Sequence, residues 1–139
     1  MNLLTRYESA SAARADFKGL LDAAESGRVV TVLRSDHQSA VVDAERLRDY
    51  FCRTVSPNAE IFAEDGGWVI LMPGRPFAAE ASGYDAVVSE MIAVLREYAE
   101  DWQDHLVTVP NHSQNWGLVQ LIELSTDDQL KAWLLGGSE

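Results

Sequence analysis

The chain has 139 residues, of which 47% are hydrophobic and 24% charged, a balance that provides a hydrophobic core and argues against wholesale disorder. No apolar run approaches the roughly 20 residues that span a bilayer, no signal-peptide pattern opens the chain, and the single cysteine excludes an intrachain disulfide. The net charge of −11 belongs to residues 54–139, which hold 3 basic and 14 acidic side chains, whereas residues 1–53 hold 8 of each. We therefore expect a cytoplasmic protein of one or two small domains, without a membrane partner.

The first 53 residues have the pattern of a small α+β domain. The predicted order is strand, helix, strand, strand and helix, over residues 3–8, 9–27, 29–33, 40–42 and 45–53. Ser9 or Ser11 can cap the first helix, because a serine hydroxyl accepts a hydrogen bond from a free backbone N–H, and Gly27 ends it. The β-branched run 29–33 predicts a buried strand, and the polar residues 35–38 predict the turn of a hairpin.

Residues 57–139 have the pattern of a second small domain, in which a sheet precedes several helices. A linker is predicted at 55–58, with the domain boundary near residue 56, where the charge also changes. The predicted strands cover residues 60–63, 68–72 and 76–80. The turn signal Asp65-Gly66-Gly67 joins the first two strands into a hairpin.

The helices of this second domain begin with a long amphipathic one, at about 83–106. Its apolar residues recur at helical spacing from Tyr84 to Trp102, and Pro110 lies beyond its end. The segment 116–122 fits either a helix or a strand, and a last helix follows it. Candidate caps are Ser82 with Asp85, Ser125 with Asp128, and the pair Gly136-Gly137. Core packing is expected for three tryptophans on apolar faces, Trp102, Trp116 and Trp133.

No catalytic or metal-binding motif is found along the chain. His37, His105 and His112 lack the spacing of metal ligands, and no phosphate-binding or nucleophile motif occurs. Cys52 is expected to be a half-buried helix residue rather than a nucleophile. The carboxylates of the long helix would need a cleft to act as general acid and base. We therefore expect a protein that is not an enzyme and holds neither a metal nor a cofactor.

Three stretches of the first domain form an ordered pattern with a known counterpart. They read Ser9-Ala-Ser-Ala-Ala-Arg14-Ala-Asp-Phe17-Lys-Gly-Leu20-Leu21, Glu25-Ser-Gly27-Arg-Val29-Val30-Thr-Val32-Leu-Arg34, and Ala40-Val-Val42-Asp-Ala-Glu-Arg-Leu47. Over about 45 residues this closely resembles the N-terminal domain of the Phd/YefM antitoxins. The chain departs from the family in its polar turn at 35–39 and in a long second half that looks folded, where the family usually has a short tail.

The resemblance implies a β-α-β-β-α domain that forms a homodimer through a joined sheet, binds operator DNA and represses its own toxin–antitoxin genes. The basic residue of the family's first helix matches Arg14, and the one at the end of the strand matches Arg34. Arg6 and Arg28 are further candidates. An arginine fork can bind phosphate or guanine with two hydrogen bonds. Without the resemblance, these arginines would be interpreted as surface salt-bridge partners.

The acidic second domain suits a basic partner, although solubility alone could also explain such a surface. The resemblance makes this partner a cognate toxin, a basic protein such as an RNA-cleaving enzyme. The order of three strands and a long helix is also loosely similar to the domain of HicB-type antitoxins. The residues expected to bind the toxin lie on the long helix and its end: Glu90, Glu97, Glu100, Asp101, Trp102 and Asp104.

The sequence therefore predicts an α+β antitoxin of a type II toxin–antitoxin system. Residues 1–56 are expected to dimerise and bind operator DNA, and residues 57–139 are expected to bind the toxin. One alternative is a regulatory interaction module that does not touch DNA, and another is an enzyme with its site in the second half.

Overall fold

The computed structural model describes residues 3–136, and its contacts divide the chain into a first unit, Met1–Asp49, and a second unit, Tyr50–Glu139. The division falls inside a helix rather than at the expected linker 55–58. Part of that segment is held within the second unit, since the indole of Trp133 donates to the Val55 carbonyl at 2.7 Å. Gly137, expected to help end the last helix, lies outside the described residues.

The first unit has the strand and helix order that the sequence predicts, with one helix divided in two. Its elements are β1 (Arg6–Tyr7), α1 (Ala10–Ala15), α2 (Phe17–Glu25), β2 (Val30–Arg34), β3 (His37–Val41) and α3 (Ala44–Thr54), the last of which continues into the second unit. The sheet order is β1-β2-β3, with β1 parallel and β3 antiparallel to the central β2. The Ser9 hydroxyl caps α1 by accepting a hydrogen bond from the Ala12 N–H at 3.0 Å. Ser9 is one of the two caps that the sequence predicted.

The core of this unit is small. Its buried residues are Tyr7, Ala13, Leu20, Ala23, Ala24 and Val30. Three of the six are alanines, so the core includes few large side chains. Phe17 and Val29 remain 58% and 56% exposed, so this unit carries large apolar side chains on its surface.

Two predictions about this unit are wrong in detail. The helix expected over 9–27 is interrupted at Asp16, whose backbone leaves helical geometry and whose carboxylate accepts a hydrogen bond from the Tyr7 hydroxyl at 2.8 Å. Burial and this hydrogen bond raise the pKa of Tyr7. The hairpin turn is also shorter than expected, because Ser35 adopts a positive φ of 58° and His37 already belongs to β3.

The second unit contains a meander of three antiparallel strands followed by helices. Its elements are β4 (Glu60–Glu64), β5 (Gly67–Met72), β6 (Phe77–Ala81), α4 (Tyr84–Asp101), a π-helical turn (Trp102–Leu106), α5 (Pro110–Ser113), α6 (Trp116–Leu124) and α7 (Asp127–Leu134). The hairpin between β4 and β5 turns at Asp65 and Gly66, both with positive φ, as the predicted turn signal requires. The segment that fitted either a helix or a strand is helical, as α6.

The long helix α4 is the centre of this unit, because it packs against β5 and β6 on one side and against α6 and α7 on another. Its apolar positions become core residues, with Val87, Met91 and Leu95 fully buried. The π-helical turn extends α4 to Leu106, which is where the sequence predicted the end of the long helix. Among residues 3–136, no helix is both long and apolar enough to cross a membrane.

Two predicted helix N-caps and one predicted core tryptophan are wrong in this unit, whereas Gly136 follows the end of α7 with a positive φ of 71°, as predicted. The residue before α4 is Gly83, with no side-chain cap, and α7 is capped by Thr126 with Gln129 in a reciprocal capping box rather than by Ser125. Trp102 and Trp133 are buried as expected, but Trp116 is 51% exposed. Cys52 is half-buried on α3, as predicted.

Arg96 on α4 forms hydrogen bonds to the turn between α6 and α7. Its guanidinium donates hydrogen bonds to the Ile122 carbonyl at 2.7 Å, to the Ser125 carbonyl at 2.8 Å and to the Asp127 carboxylate at 2.7 Å. The three acceptors lie around one planar fork, a geometry that a lysine ammonium does not reproduce.

We therefore expect Arg96→Lys to lower the free energy of unfolding by about 1–3 kcal/mol, because two carbonyls lose a charged donor while the charge is kept. Urea denaturation measures this change. Lys131→Ala, which removes an exposed cation of the same unit, is the control and should have an effect near zero. Equal midpoints for wild type and Arg96→Lys would show that the fork contributes nothing beyond its charge.

Candidate functional site

Two of the arginines expected to bind DNA are exposed and carry no ion pair within the described residues. Arg14 lies in the last turn of α1, next to the buried Ala13, and Arg34 is the final residue of β2, opposite His37 in the hairpin. Both positions present the guanidinium to solvent from a regular element. Such an arrangement can contact phosphate without first breaking an internal pair.

The other two arginines are already engaged. The Arg6 guanidinium pairs with the Glu8 carboxylate at 2.9 Å, and the Arg28 guanidinium donates to the Ser26 hydroxyl. Arg6 on β1 is in register with Thr31 on β2, so these two side chains point to the same face of the sheet. Arg34 is three positions beyond Thr31, and side chains alternate along a strand, so Arg34 points to the opposite face from Arg6. Within one chain, the four arginines therefore do not form a single basic face.

Four of the acidic residues expected to bind a toxin meet at one open groove of about 700 Å³. They are Glu97, Glu100, Asp101 and Asp104, and Phe77 and His112 also line the groove. The spacing of three and four residues places these four carboxylates on one side of the helix. All four are exposed, and Asp101 pairs with His105 at 3.1 Å. Glu90 is also exposed but does not line the groove.

Trp102, also expected to contact the toxin, is a core residue in this structure. It is 2% exposed, and its indole N–H donates to the carbonyl of His112 at 2.8 Å. The π-helical turn begins at this residue. The wide turn and the indole hydrogen bond connect the end of α4 to α5, which carries His112 into the groove wall. Trp102 thus supports the acidic groove from beneath, and a direct contact with a partner would require this part of the fold to open.

A hydrogen-bond network fixes the aromatic wall of the groove. The Tyr98 hydroxyl lies 2.9 Å from Nδ1 of His112, and the Asn115 amide donates to the same hydroxyl at 2.8 Å. Tyr98 also packs edge-on against Phe77, with ring centroids 4.9 Å apart. These contacts hold Tyr98 to its neighbours on β6 and α5. Within the described residues, Glu97, Glu100 and Asp104 carry no ion pair and remain available to a cation.

The lining of the groove suits a cationic ligand, because it contains four carboxylates. No group of three metal-ligating side chains that could hold an ion is found within residues 3–136. The groove offers clustered negative charge beside a fixed aromatic wall, a combination that suits lysine or arginine side chains of another protein.

Sequence reasoning missed an aromatic cluster in the second unit, in which Tyr50 and Trp116 are exposed on either side of the buried Phe51. Trp116 packs edge-on against Phe51, with centroids 5.4 Å apart, and Phe51 also contacts Tyr50, which is 59% exposed. The only signal in the sequence was an aromatic residue at the first position of a helix, where the apolar pattern wrongly favoured burial.

The chain matches no protein-family profile and no curated protein. Among solved structures, it is similar to a protein from Syntrophomonas wolfei subsp. wolfei, described as the antitoxin part of a proposed toxin/antitoxin system. The TM-score is 0.78, the alignment covers 96% of each chain, and the identity is 19%. The two proteins share a fold. This likeness extends over both units, and it agrees with the predicted α+β class without testing the Phd/YefM resemblance.

Proposed function

We propose that this chain is a non-enzymatic antitoxin that binds and neutralises a cognate toxin. The observation that carries the proposal is the shared fold, over 96% of both chains, with a protein described as an antitoxin. The Phd/YefM-like residue pattern of the first unit supports the same conclusion independently, because it was found in the sequence alone.

The acidic groove supports the assignment of toxin binding to the second unit. A toxin that cleaves RNA needs a basic surface to hold its substrate, and an exposed row of carboxylates can cover such a surface. The second unit also contains most of the net negative charge of the chain. Long-range attraction would then speed the encounter between the two proteins.

The test is rescue of growth. The open reading frame adjacent to this gene would be induced in a bacterial host, with and without the full chain. We expect induction to stop growth and co-expression of the chain to restore it. A neighbouring product that is harmless, or whose toxicity the chain does not relieve, would refute the proposal.

We further propose that the first unit dimerises and binds operator DNA in the manner of Phd/YefM antitoxins. The small core, the exposed apolar side chains Phe17 and Val29, and the open edge strand β3 support a second copy as the covering partner. Light scattering on the full chain should give twice the chain mass of 15.4 kDa. A monomer at tens of micromolar would contradict this part of the proposal.

Operator binding gives a sharper prediction at Arg14 and Arg34. We expect Arg14→Ala and Arg34→Ala each to weaken binding to the promoter and to flatten the slope of log affinity against log salt by about one unit, because each removes one phosphate contact. Titrations at several salt concentrations measure both effects. Lys131→Ala, in the second unit, is the control. Unchanged affinity of both arginine variants at about 0.1 M salt would refute this choice of DNA-binding residues.

A second candidate function is a regulatory module that binds its partner without binding DNA. It is favoured by the ion pair between Arg6 and Glu8 and by the opposite orientations of Arg6 and Arg34, which leave the four candidate arginines without one shared face. A gel shift with the upstream promoter separates the two candidates, since only the DNA-binding antitoxin should retard the fragment.

A further inference from the structure

The three-stranded sheet of the second unit has an inner and an outer face. Successive residues of a strand point to opposite faces, and the register between strands shows which residues share one. On the inner face, Ile70 and Met72 are fully buried where α4 packs against the sheet. The outer face is therefore formed by the alternate positions of β5, Val69 and Leu71, and by their neighbours on β4 and β6.

The outer sheet face consists of two rows across the three strands. One row contains Phe62, Val69 and Glu80, and the next contains Glu60, Leu71 and Ala78. Phe62 is 37% exposed, and Ala78 is also exposed. The face thus has a continuous apolar centre of four side chains, with a carboxylate at two opposite corners.

A third carboxylate extends this acidic border. Glu64 lies two residues beyond Phe62 on the same face of β4, and it lines a depression of about 280 Å³ together with Val69 and Glu80. Within the described residues, Glu60, Glu64 and Glu80 have neither an ion pair nor a side-chain hydrogen bond. The basic residue nearest to Glu80 in sequence, Arg75, donates instead to the Ser56 carbonyl at 2.9 Å.

We propose that the outer sheet face is the docking surface for a basic amphipathic helix of the toxin. This inference rests on the proposed function and adds a second contact, because the outer sheet face and the acidic groove share no residue. The charge border selects the partner: a second copy of this chain would bring like charges together, whereas a cationic protein would neutralise them. Because the centre of the outer sheet face is apolar, the partner also needs apolar side chains between its cationic residues.

A helix fits the dimensions of this face. Glu60 and Glu80 are separated by two strand spacings and two residues along the strand, or about 12 Å between Cα atoms. Two cationic residues eight positions apart on a helix are also separated by about 12 Å, and the residue midway between them lies on the same side. Covering the outer sheet face would complete a helix–sheet–helix layer arrangement, with α4 on the other side.

The test compares the affinity of the adjacent-frame toxin for variants of the full chain, measured by biolayer interferometry. We expect Phe62→Ala and Glu80→Lys each to raise Kd by about tenfold or more, and Glu60→Lys to act in the same direction. The control is Glu123→Lys, which reverses an exposed carboxylate on α6 and should change Kd by less than about twofold. Thermal unfolding checks folding, and if Phe62→Ala fails to fold, the two charge reversals at exposed positions decide.

Outcomes separate this inference from the proposed function. If the wild-type chain rescues growth but all three outer-face variants bind like wild type, the docking surface is refuted and the antitoxin function stands. If the wild-type chain neither rescues growth nor binds the toxin, both are refuted. If the outer-face variants lose binding but crosslinks in the wild-type complex join the outer sheet face to a strand or loop of the toxin, the helical partner is refuted.

Discussion

Reversing the charge of the acidic groove is expected to abolish toxin neutralisation. The triple variant Glu97→Lys, Glu100→Lys, Asp104→Lys places three cations where the basic toxin is proposed to bind, and like charges across an interface cost several kcal/mol. Asp101 is left unchanged because it pairs with His105. We expect Kd to rise by about 100-fold or more, in a binding titration, and rescue of growth to be lost.

A control variant and the salt dependence of the on-rate make this result specific to the groove. Glu25→Lys with Glu123→Lys changes the net charge at exposed positions on α2 and α6 and should leave rescue intact. The on-rate of the wild-type chain should fall steeply between about 0.01 and 0.15 M salt, since the Debye length shrinks from about 30 to about 8 Å. A triple variant that keeps wild-type affinity, with an on-rate indifferent to salt, would exclude the groove as the toxin-binding surface.

Shortening Leu95 is expected to cause the largest loss of stability. Leu95 is fully buried in α4, the helix on which the sheet, α6 and α7 all pack. We expect Leu95→Ala to lower the free energy of unfolding of the second unit by about 2–5 kcal/mol, because it removes buried methyl groups and leaves a cavity. Val107→Ala, at a position 46% exposed, should change it by less than about 0.5 kcal/mol.

Tryptophan fluorescence can report this loss without interference from the first unit. All four tryptophans belong to the second unit: Trp68, Trp102, Trp116 and Trp133. Urea denaturation followed at these indoles therefore measures the unfolding of the second unit. A midpoint for Leu95→Ala equal to that of Val107→Ala would contradict the central position of α4 in the core.

Much of the candidate site was predictable because it depends on helical periodicity. The spacing from Tyr84 to Trp102 predicted α4, and the same period places Glu97, Glu100 and Asp104 together on the solvent side. The rest of the lining was not predictable. Phe77 and His112 come from β6 and α5, and their approach depends on packing between residues far apart in the chain.

The sequence alone determined the two-part charge distribution, the order of strands and helices, and most of the buried positions, because these follow from local composition and from periods of 2 and 3.6 residues. Only the tertiary structure decided where contacts between distant residues override local composition and periodicity.

The hydrogen bond from Tyr7 to Asp16 is one such contact, because it joins the end of β1 to the break between α1 and α2. Trp116 stays exposed because α6 buries a different side, through Leu118 and Ile122. The composition of the outer sheet face was also decided by the tertiary structure. Strand register determines which side chains share a face, and register arises from pairing between strands.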